Sequence, residues 1–209
     1  MIENIEAFII AITILTLTPG LDTALVLRNT TRGGFSDGIT TSLGICLGLF
    51  VHATFSAIGI SALLAQSAEL FNMVKLAGAV YLIWLGVGSL RNLRKSPLAL
   101  TGGNVKPANS RNFWRSSREG FLSNVLNPKT AVFYLAFLPQ FINPEGSAFV
   151  QSIVMAGIHF IIAMAWQCGL AGALSSSKKL LNNPSFNKWM EAVTGVVLIG
   201  LGIKLIMEE

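Results

Sequence analysis

Two short stretches carry residues that could do chemistry inside long apolar runs of the chain. The first reads Thr18-Pro19-Gly20-Leu21-Asp22 and the second reads Asn127-Pro128-Lys129. Proline removes a backbone donor and glycine loosens the backbone, so each stretch is predicted to interrupt a helix. A charged side chain within a membrane is costly and usually faces a functional interior. The two stretches therefore predict a polar site built from two interrupted helices.

The residue before each proline is of a type that starts helices. Thr18 precedes Pro19, and Asn127 precedes Pro128. A side-chain oxygen at the N-cap followed by proline in the first turn is the preferred order at a helix start. We therefore predict that a second half-helix begins at each break. Its free N–H groups and its positive end would face the cavity and bind an anion.

The charges beside the two breaks are complementary to the two ends of an amino acid. Lys129 and the backbone amides would bind a carboxylate, and Asp22 would bind an ammonium group. The alternative is that Asp22 and Lys129 pair with each other and only hold two halves of the protein in register. Burial disfavours the charged form of a carboxylate, so Asp22 is also predicted to take up and release a proton.

Three further residues are predicted to contribute to the site. Gly20 lies in the first break, Asn124 lies one turn before Pro128, and His52 lies near the middle of the second apolar run. A metal site would require His52 and His159 to converge with carboxylates or thiols, and neither HxxxH nor HExxH spacing is present. We predict no metal and no cofactor.

The composition is that of an integral membrane protein. Charged residues make up only 12% of the chain and the mean hydropathy is +0.62, whereas soluble domains carry about 25% charged residues. Six apolar segments approach the roughly 20 residues that a membrane-spanning helix needs. They lie at about 5–27, 39–64, 70–90, 121–142, 148–174 and 189–207. The predicted fold is all-α, with six transmembrane helices, of which helices 1 and 4 are broken at Pro19 and Pro128.

The basic residues predict the orientation of these spans. Of the 15 lysines and arginines, 12 fall in the loops after spans one, three and five. Basic loops face the cytoplasm, so both termini are predicted outside. This topology explains the positive charge without a nucleic-acid partner. The acidic N-terminus, with Glu3 and Glu6, does not resemble a secretory signal, so the first segment is predicted to be a retained span.

The two halves of the chain resemble each other. Residues 79–86 in span three align with residues 195–202 in span six, and Pro19 has a counterpart in Pro128. Three spans per repeat would make the copies inverted across the membrane, and interrupted helices at corresponding positions point to a transporter site. The predicted units are a three-helix repeat at 1–95, a basic cytoplasmic linker at 96–119 and a second three-helix repeat at 120–209.

These motifs resemble those of the LysE/RhtB family of bacterial amino-acid exporters. The similarity covers residues 18–22, 78–86 and 120–129, together with His52 four residues after Gly48. The family usually reads TPGP in the first motif, whereas this chain has Leu21 in place of the second proline. The resemblance implies export of amino acids such as homoserine, threonine or lysine from the cytoplasm, driven by the proton gradient. It also implies location in the bacterial cytoplasmic membrane.

Other interpretations are weighed against this one. A metal-ion exporter on a similar frame would use His52, His159 and Asp22 as ligands. A thiol-redox conductor would need cysteines beside the breaks, and neither Cys46 nor Cys168 lies there. The chain carries neither the GxSxG motif nor the zinc signature of a hydrolase, so we do not expect an enzyme. Gly44 and Gly48 form a GxxxG pair for close helix packing, which would also allow a homodimer.

Overall fold

The computed structural model describes residues 2–18, 20–66, 68–92 and 113–176, together with single residues between 185 and 207. Its helices are α1 (Ile5–Leu17), α2 (Leu21–Gln66), α3 (Ala68–Asn92), α4 (Phe113–Val125), α5 (Pro128–Val132) and α6 (Ala148–Ser176). After α5 the chain continues through a π-helical turn (Phe133–Phe137) and a 3-10 turn (Leu138–Phe141). The described residues beyond 184 are helical.

The described part of the chain is helical and apolar and contains no strand. Two helical segments, 21–59 and 148–176, are long and apolar enough to cross a membrane. The shorter segments Ile5–Leu17 and Leu76–Gly88 are also apolar. The all-α class expected from the sequence is confirmed, and its apolar helices are consistent with a membrane protein.

The helix of the first apolar run ends at Leu17. Thr18 has φ −63° and ψ 115°, and its backbone N–H and its hydroxyl both donate to the carbonyl of Ile14, at 3.1 and 2.7 Å. A proline next in the sequence disfavours helical conformation in the residue before it; Pro19 itself lies outside the described residues. Thr18 thus closes α1, and the prediction that it caps the following helix is wrong. The backbone N–H of Ala24 instead donates to the carbonyl of Gly20, at 3.0 Å.

The second predicted interruption follows α4. Asn127 has φ −80° and ψ 109°, and its Oδ1 accepts a hydrogen bond from the backbone N–H of Lys129 at 3.0 Å. Pro128 stands in the first turn of α5, where its missing N–H costs nothing. This is the N-cap arrangement expected from the sequence at Asn127.

A single glycine bends the long helix α2 into two arms. Gly34 has φ 79° and ψ −171°, a conformation open essentially to glycine alone. The residues on both sides of it are helical, so the first arm extends past the predicted end of span one at Leu27. The polar residues that look like a loop in the sequence therefore form the last turns of one arm and the first turns of the next.

Replacing Gly34 with alanine is expected to destabilise the protein by about 1–3 kcal/mol, because alanine rarely adopts this backbone conformation. A methyl group at Gly34 would meet no atom within 4 Å, so any loss of stability would come from the backbone conformation and not from a steric clash. Gly59→Ala is the matched control, since it also adds a methyl to α2 in open space. Thermal unfolding in detergent measures both variants. Equal melting temperatures for the two would contradict the assignment of the bend to Gly34.

A polar network ties this bend to α4. Glu119 accepts hydrogen bonds from Arg28 at 2.8 Å, Asn29 at 2.9 Å, Arg115 at 2.9 Å and Arg32 at 3.3 Å. Burial raises the pKa of Glu119, but the hydrogen bonds from Arg115 and Asn29 and the charge of Arg32 outweigh it and hold the pKa at about 2. The carboxylate is therefore ionised at neutral pH, and three arginines converge on it just before the apolar part of span four.

Glycines bring the second arm of α2 against α4. A methyl group on Gly44 would collide with the carbonyl of Ser117, and one on Gly120 would collide with the carbonyl of Thr41. Gly48 lies against the side chain of Asn124. The GxxxG pair thus serves close helix packing, as expected. Because α4 of the same chain occupies this face, it is not available for the homodimer that the pair would otherwise allow.

Candidate functional site

Asp22 in the first turn of α2 is held by three donors from the other half of the chain. Its carboxylate accepts hydrogen bonds from Ser123 Oγ at 2.8 Å, Asn124 Nδ2 at 2.9 Å and Asn127 Nδ2 at 3.1 Å. A negative charge is also favourable at the start of a helix. A carboxylate has about four acceptor positions, so three donors leave room for one more.

Lys129 makes the opposite connection, from α5 to the end of α1. Its Nζ donates to the backbone carbonyls of Leu15 and Thr18, at 3.1 Å each. The last carbonyls of a helix have no partner within the helix, and a positive charge is favourable there. An ammonium group has three N–H donors, so two bonds leave one for another partner.

The two charged groups do not pair with each other. None of the ion pairs between described residues joins Asp22 to Lys129 within 4.0 Å. Each charge is instead bound by neutral groups on the other side of the site. Asn127 is linked to both, because its Nδ2 donates to Asp22 and its Oδ1 accepts from the backbone of Lys129. The direct pairing left open by the sequence is not observed in this structure.

A cavity lies between these two charges. Its volume is about 40 Å³, enough for water but far below the roughly 300–1,000 Å³ of typical ligand sites. Of the residues predicted for the site, six line it: Thr18, Gly20, Asp22, Asn124, Asn127 and Lys129. His52 and Pro128 do not line it, and Pro19 lies outside the described residues. The structure thus brings most of the predicted residues together around one space.

His52 supports the backbone beside the cavity. Its Nε2 lies 2.9 Å from the carbonyl of Asn124 and donates to it. One turn further along α2, the hydroxyl of Ser56 donates to the carbonyl of Tyr134 at 2.6 Å. Irregular backbone within a membrane must find such partners inside the protein. Both side chains therefore stabilise the interrupted segment from α4 to the π-helical turn.

His159 of α6 faces the cavity but has both ring nitrogens engaged. Nε2 lies 3.1 Å from Thr16 Oγ1, and Nδ1 lies 3.0 Å from the hydroxyl of Tyr134, whose ring stacks on the imidazole at 5.9 Å. Within the described ranges, no group of three or more histidines, cysteines or acidic residues could hold a metal ion. The geometry gives no support to the metal-exporter interpretation.

Several polar residues of the cavity wall were not predicted from the sequence. They are Thr16, Thr23, Thr130 and Gln167. Their one signal in the sequence is a polar side chain inside an apolar run. Gln167 on α6 is 6% exposed, and its Oε1 has no hydrogen-bond partner among the described residues.

Replacing Gly48 with alanine is expected to lower the activity of the protein about tenfold or more. The added methyl would lie 2.7 Å from Asn124 Oδ1 and 3.0 Å from Asn124 Cβ, so this side chain must move. Its 2.9 Å bond to Asp22 would then be lost, and small displacements at a functional site have large effects on rate. Gly59→Ala on the same helix should keep full activity. Full activity of the Gly48 variant in reconstituted vesicles would contradict the role given to Asn124.

Comparison with known proteins assigns the chain to a family. The family model for LysE type translocators matches residues 13–209. The uncharacterized membrane protein YrhP of Bacillus subtilis is 36% identical over 207 residues, which cover 97% of this chain and 98% of that protein. The homoserine/homoserine lactone efflux protein of Salmonella typhimurium is 25% identical over 199 residues, which cover 95% of this chain and 94% of that protein.

The threonine efflux protein of Salmonella typhimurium is 25% identical over 194 residues, which cover 92% of each chain. No solved structure matches the chain. The matched region spans both interrupted segments and the cavity between them. The chain therefore belongs to the LysE type translocator family of membrane transporters.

Proposed function

We propose that the chain is a secondary transporter that exports amino acids from the cytoplasm through the cavity between Asp22 and Lys129. The observation that carries the proposal is the incomplete hydrogen bonding of these two unpaired charges. Asp22 has one acceptor position left, and Lys129 has one donor left. An amino-acid zwitterion offers one ammonium group and one carboxylate, which match these two positions.

The similar proteins with stated activities support this substrate class. One is named for efflux of homoserine and homoserine lactone and one for efflux of threonine, and each aligns with more than nine-tenths of this chain. Homoserine and threonine are amino acids whose two ends fit the charges of Asp22 and Lys129. The proposal therefore joins the chemistry of the cavity to the family to which the chain belongs.

Transport by alternating access fits the size of the cavity. A space of about 40 Å³ accommodates water but not an amino acid. The helices must separate to admit the substrate, and they must do so on one side of the membrane at a time. The described conformation would then be a closed state, in which the protein fills all but one hydrogen-bonding position on Asp22 and all but one on Lys129.

The proposal includes two inverted three-helix repeats. Contacts between α3 and the described residues of the predicted sixth span support these repeats. Each contact has a counterpart in which the residues of one span are replaced by the aligned residues of the other. A methyl group on Gly86 would lie 2.7 Å from the carbonyl oxygen of Gly195. A methyl group on Gly202 would lie 2.7 Å from the carbonyl oxygen of Ala79. Gly86 aligns with Gly202 and Ala79 aligns with Gly195, so this is the contact expected of a two-fold axis.

We further propose that Asp22 couples transport to protons. A protonated Asp22 would lose the charge that binds the substrate ammonium, so proton and substrate would compete for one carboxylate. Binding on the cytoplasmic side and proton entry from outside would then drive export. Collapsing the proton gradient in vesicles should stop uphill transport, and unaffected accumulation would remove protons from the mechanism.

The proposed location is the bacterial cytoplasmic membrane, with both termini outside. In this orientation the network of Arg28, Arg32, Arg115 and Glu119 lies on the cytoplasmic side. Cysteine labelling with a membrane-impermeant reagent at Glu3 and at Arg118 in intact cells would test it. Glu3→Cys is expected to react and Arg118→Cys is not.

Transport itself is tested with purified protein in liposomes. Liposomes loaded with an unlabelled amino acid are diluted into labelled homoserine, threonine, lysine or valine, and counterflow is measured for each. We expect uptake of at least one amino acid above protein-free liposomes. The proposed function would be overturned if no amino acid is exchanged, whether the protein exchanges a metal ion instead or no solute at all.

A further inference from the structure

Gln167 is one of two residues of the cavity wall, with Asn124, whose side-chain oxygen is buried without a hydrogen-bond partner in the described part of the chain. The side chain of Gln167 is 6% exposed, and Oε1 accepts no hydrogen bond from the described part of the chain. A buried polar atom left unpaired costs free energy, more so in a membrane than at a surface. An unpaired polar atom beside a cavity therefore indicates that a ligand is its hydrogen-bond partner.

The placement of Gln167 on α6 sets it apart from the rest of the wall. His159, Ala163 and Gln167 follow each other at intervals of four and line one stripe of the cavity. His159 at one end is fixed by Thr16 and Tyr134. Ala163 contributes only a methyl group and leaves space between the two polar residues. Gln167 is therefore the polar group of this stripe that is free to bind what enters.

The charges of the wall limit what the amide can meet. Asp22 and Lys129 are the acid and the base among the described lining residues, and the two ends of a zwitterion match them. No second carboxylate or lysine of the described wall remains to neutralise a charged substrate side chain. An amide both donates and accepts, so it suits an uncharged group that does the same.

We propose that the Gln167 amide binds the side chain of the substrate and selects amino acids whose side chain ends in an uncharged hydrogen-bonding group. This inference rests on the proposed function, since it assumes an amino acid held between Asp22 and Lys129. A site built to hydrogen-bond a hydroxyl discriminates strongly against an analogue that lacks it. Gln167 is thus a specificity-determining residue, whereas Asp22 and Lys129 bind the parts that all amino acids share.

The test compares substrates of equal shape. Threonine and valine differ by a hydroxyl in place of a methyl, and homoserine and norvaline differ in the same way. Counterflow in liposomes should favour the hydroxyl compound of each pair in the wild-type protein. Gln167→Leu is expected to lower this preference about tenfold by slowing the hydroxyl compounds while leaving valine and norvaline unchanged or faster.

Thermal unfolding supplies a second readout. Because Gln167 Oε1 has no partner among the described residues, Gln167→Leu should leave the melting temperature of the substrate-free protein unchanged or raise it. Gln151→Leu is the matched control on the same helix. Gln151 is 8% exposed but exchanges hydrogen bonds of 2.9 and 3.0 Å with the backbone of Asn143, so its replacement should lower the melting temperature without changing the preference.

The outcomes separate this inference from the proposed function. Transport of threonine by Gln167→Leu with an unchanged preference would overturn the role of Gln167 and leave the exporter standing. Wild-type preference for valine, or transport confined to amino acids with charged side chains, would overturn the substrate class. Absence of all amino-acid transport in the wild type would overturn the proposed function itself. If Gln167→Leu is not recovered as a folded protein, Gln167→Asn takes its place in the counterflow measurement. Its shorter amide should also lower the preference for the hydroxyl compounds, and an unchanged preference would overturn the inference.

Discussion

Replacing Asp22 with asparagine is expected to lower amino-acid export about 100-fold or more. The substitution removes the negative charge that would bind the substrate ammonium. It also turns one carboxylate oxygen into an N–H₂ group, which then faces either the hydroxyl of Ser123 or the two amide donors of Asn124 and Asn127. Losing one partner of a buried charge interaction costs roughly 2–5 kcal/mol, which corresponds to a loss of this size in rate.

Initial rates in inside-out vesicles measure this effect, with the amount of inserted protein determined in parallel. Asp37→Asn is the matched control, because Asp37 is also a carboxylate of α2, more buried than Asp22, but lies outside the cavity, 3.8 Å from Arg32. The control should be inserted and retain export. Undiminished export by Asp22→Asn at equal protein levels would remove the carboxylate from the mechanism.

Asp22 and Lys129 could be picked out from the sequence because a charge is conspicuous in an apolar run. Their partners could not, since these depend on how the two halves are placed. The sequence allowed Asp22 and Lys129 to pair with each other. In the structure Lys129 instead binds the carbonyls of Leu15 and Thr18, and Asp22 binds side chains near the end of α4. Free carbonyls at the end of a helix compete for a cation, and which carbonyls are free cannot be predicted until the end of the helix is known.

The extent of the helices was harder to predict than their presence. Apolar runs mark the part of a helix that lies in lipid, so the prediction ended span one at Leu27 although the helix continues to the bend at Gly34. Phe113 likewise begins α4 within the predicted linker 96–119. The π-helical turn at Phe133–Phe137, in which Tyr134 and Phe137 are buried, has no signature in the sequence.

The inward-facing polar residues could be recognised only partly. In a soluble helix the alternation of polar and apolar residues tells which face is buried, but a membrane helix is apolar on both its lipid face and its packed face. Gln167 and Thr16 therefore gave no sign of facing the same cavity as His159. Thr18 was assigned to the wrong helix end for a related reason, since a hydroxyl next to proline can close one helix or open the next.

Replacing Lys129 with methionine is expected to abolish export and to destabilise the protein. Methionine fills a similar volume but leaves the carbonyls of Leu15 and Thr18 without their donor. Unpaired buried carbonyls cost about 1–3 kcal/mol each, so we expect a loss of about 2 kcal/mol or more and a lower melting temperature. Export should fall about 100-fold or more, because the substrate carboxylate also loses its cation.

Lys129→Arg separates these two effects. Arginine keeps the charge and the donors, so it should still cap α1 and restore most of the melting temperature. Its guanidinium is larger and planar and cannot reproduce the position of the compact ammonium group, so the arginine variant should export about tenfold more slowly than the wild type. Wild-type export by Lys129→Met would show that the cation only caps the helix. Lys129→Arg could instead restore the melting temperature but export no faster than Lys129→Met. That result would show that the carboxylate site requires the compact ammonium group of lysine.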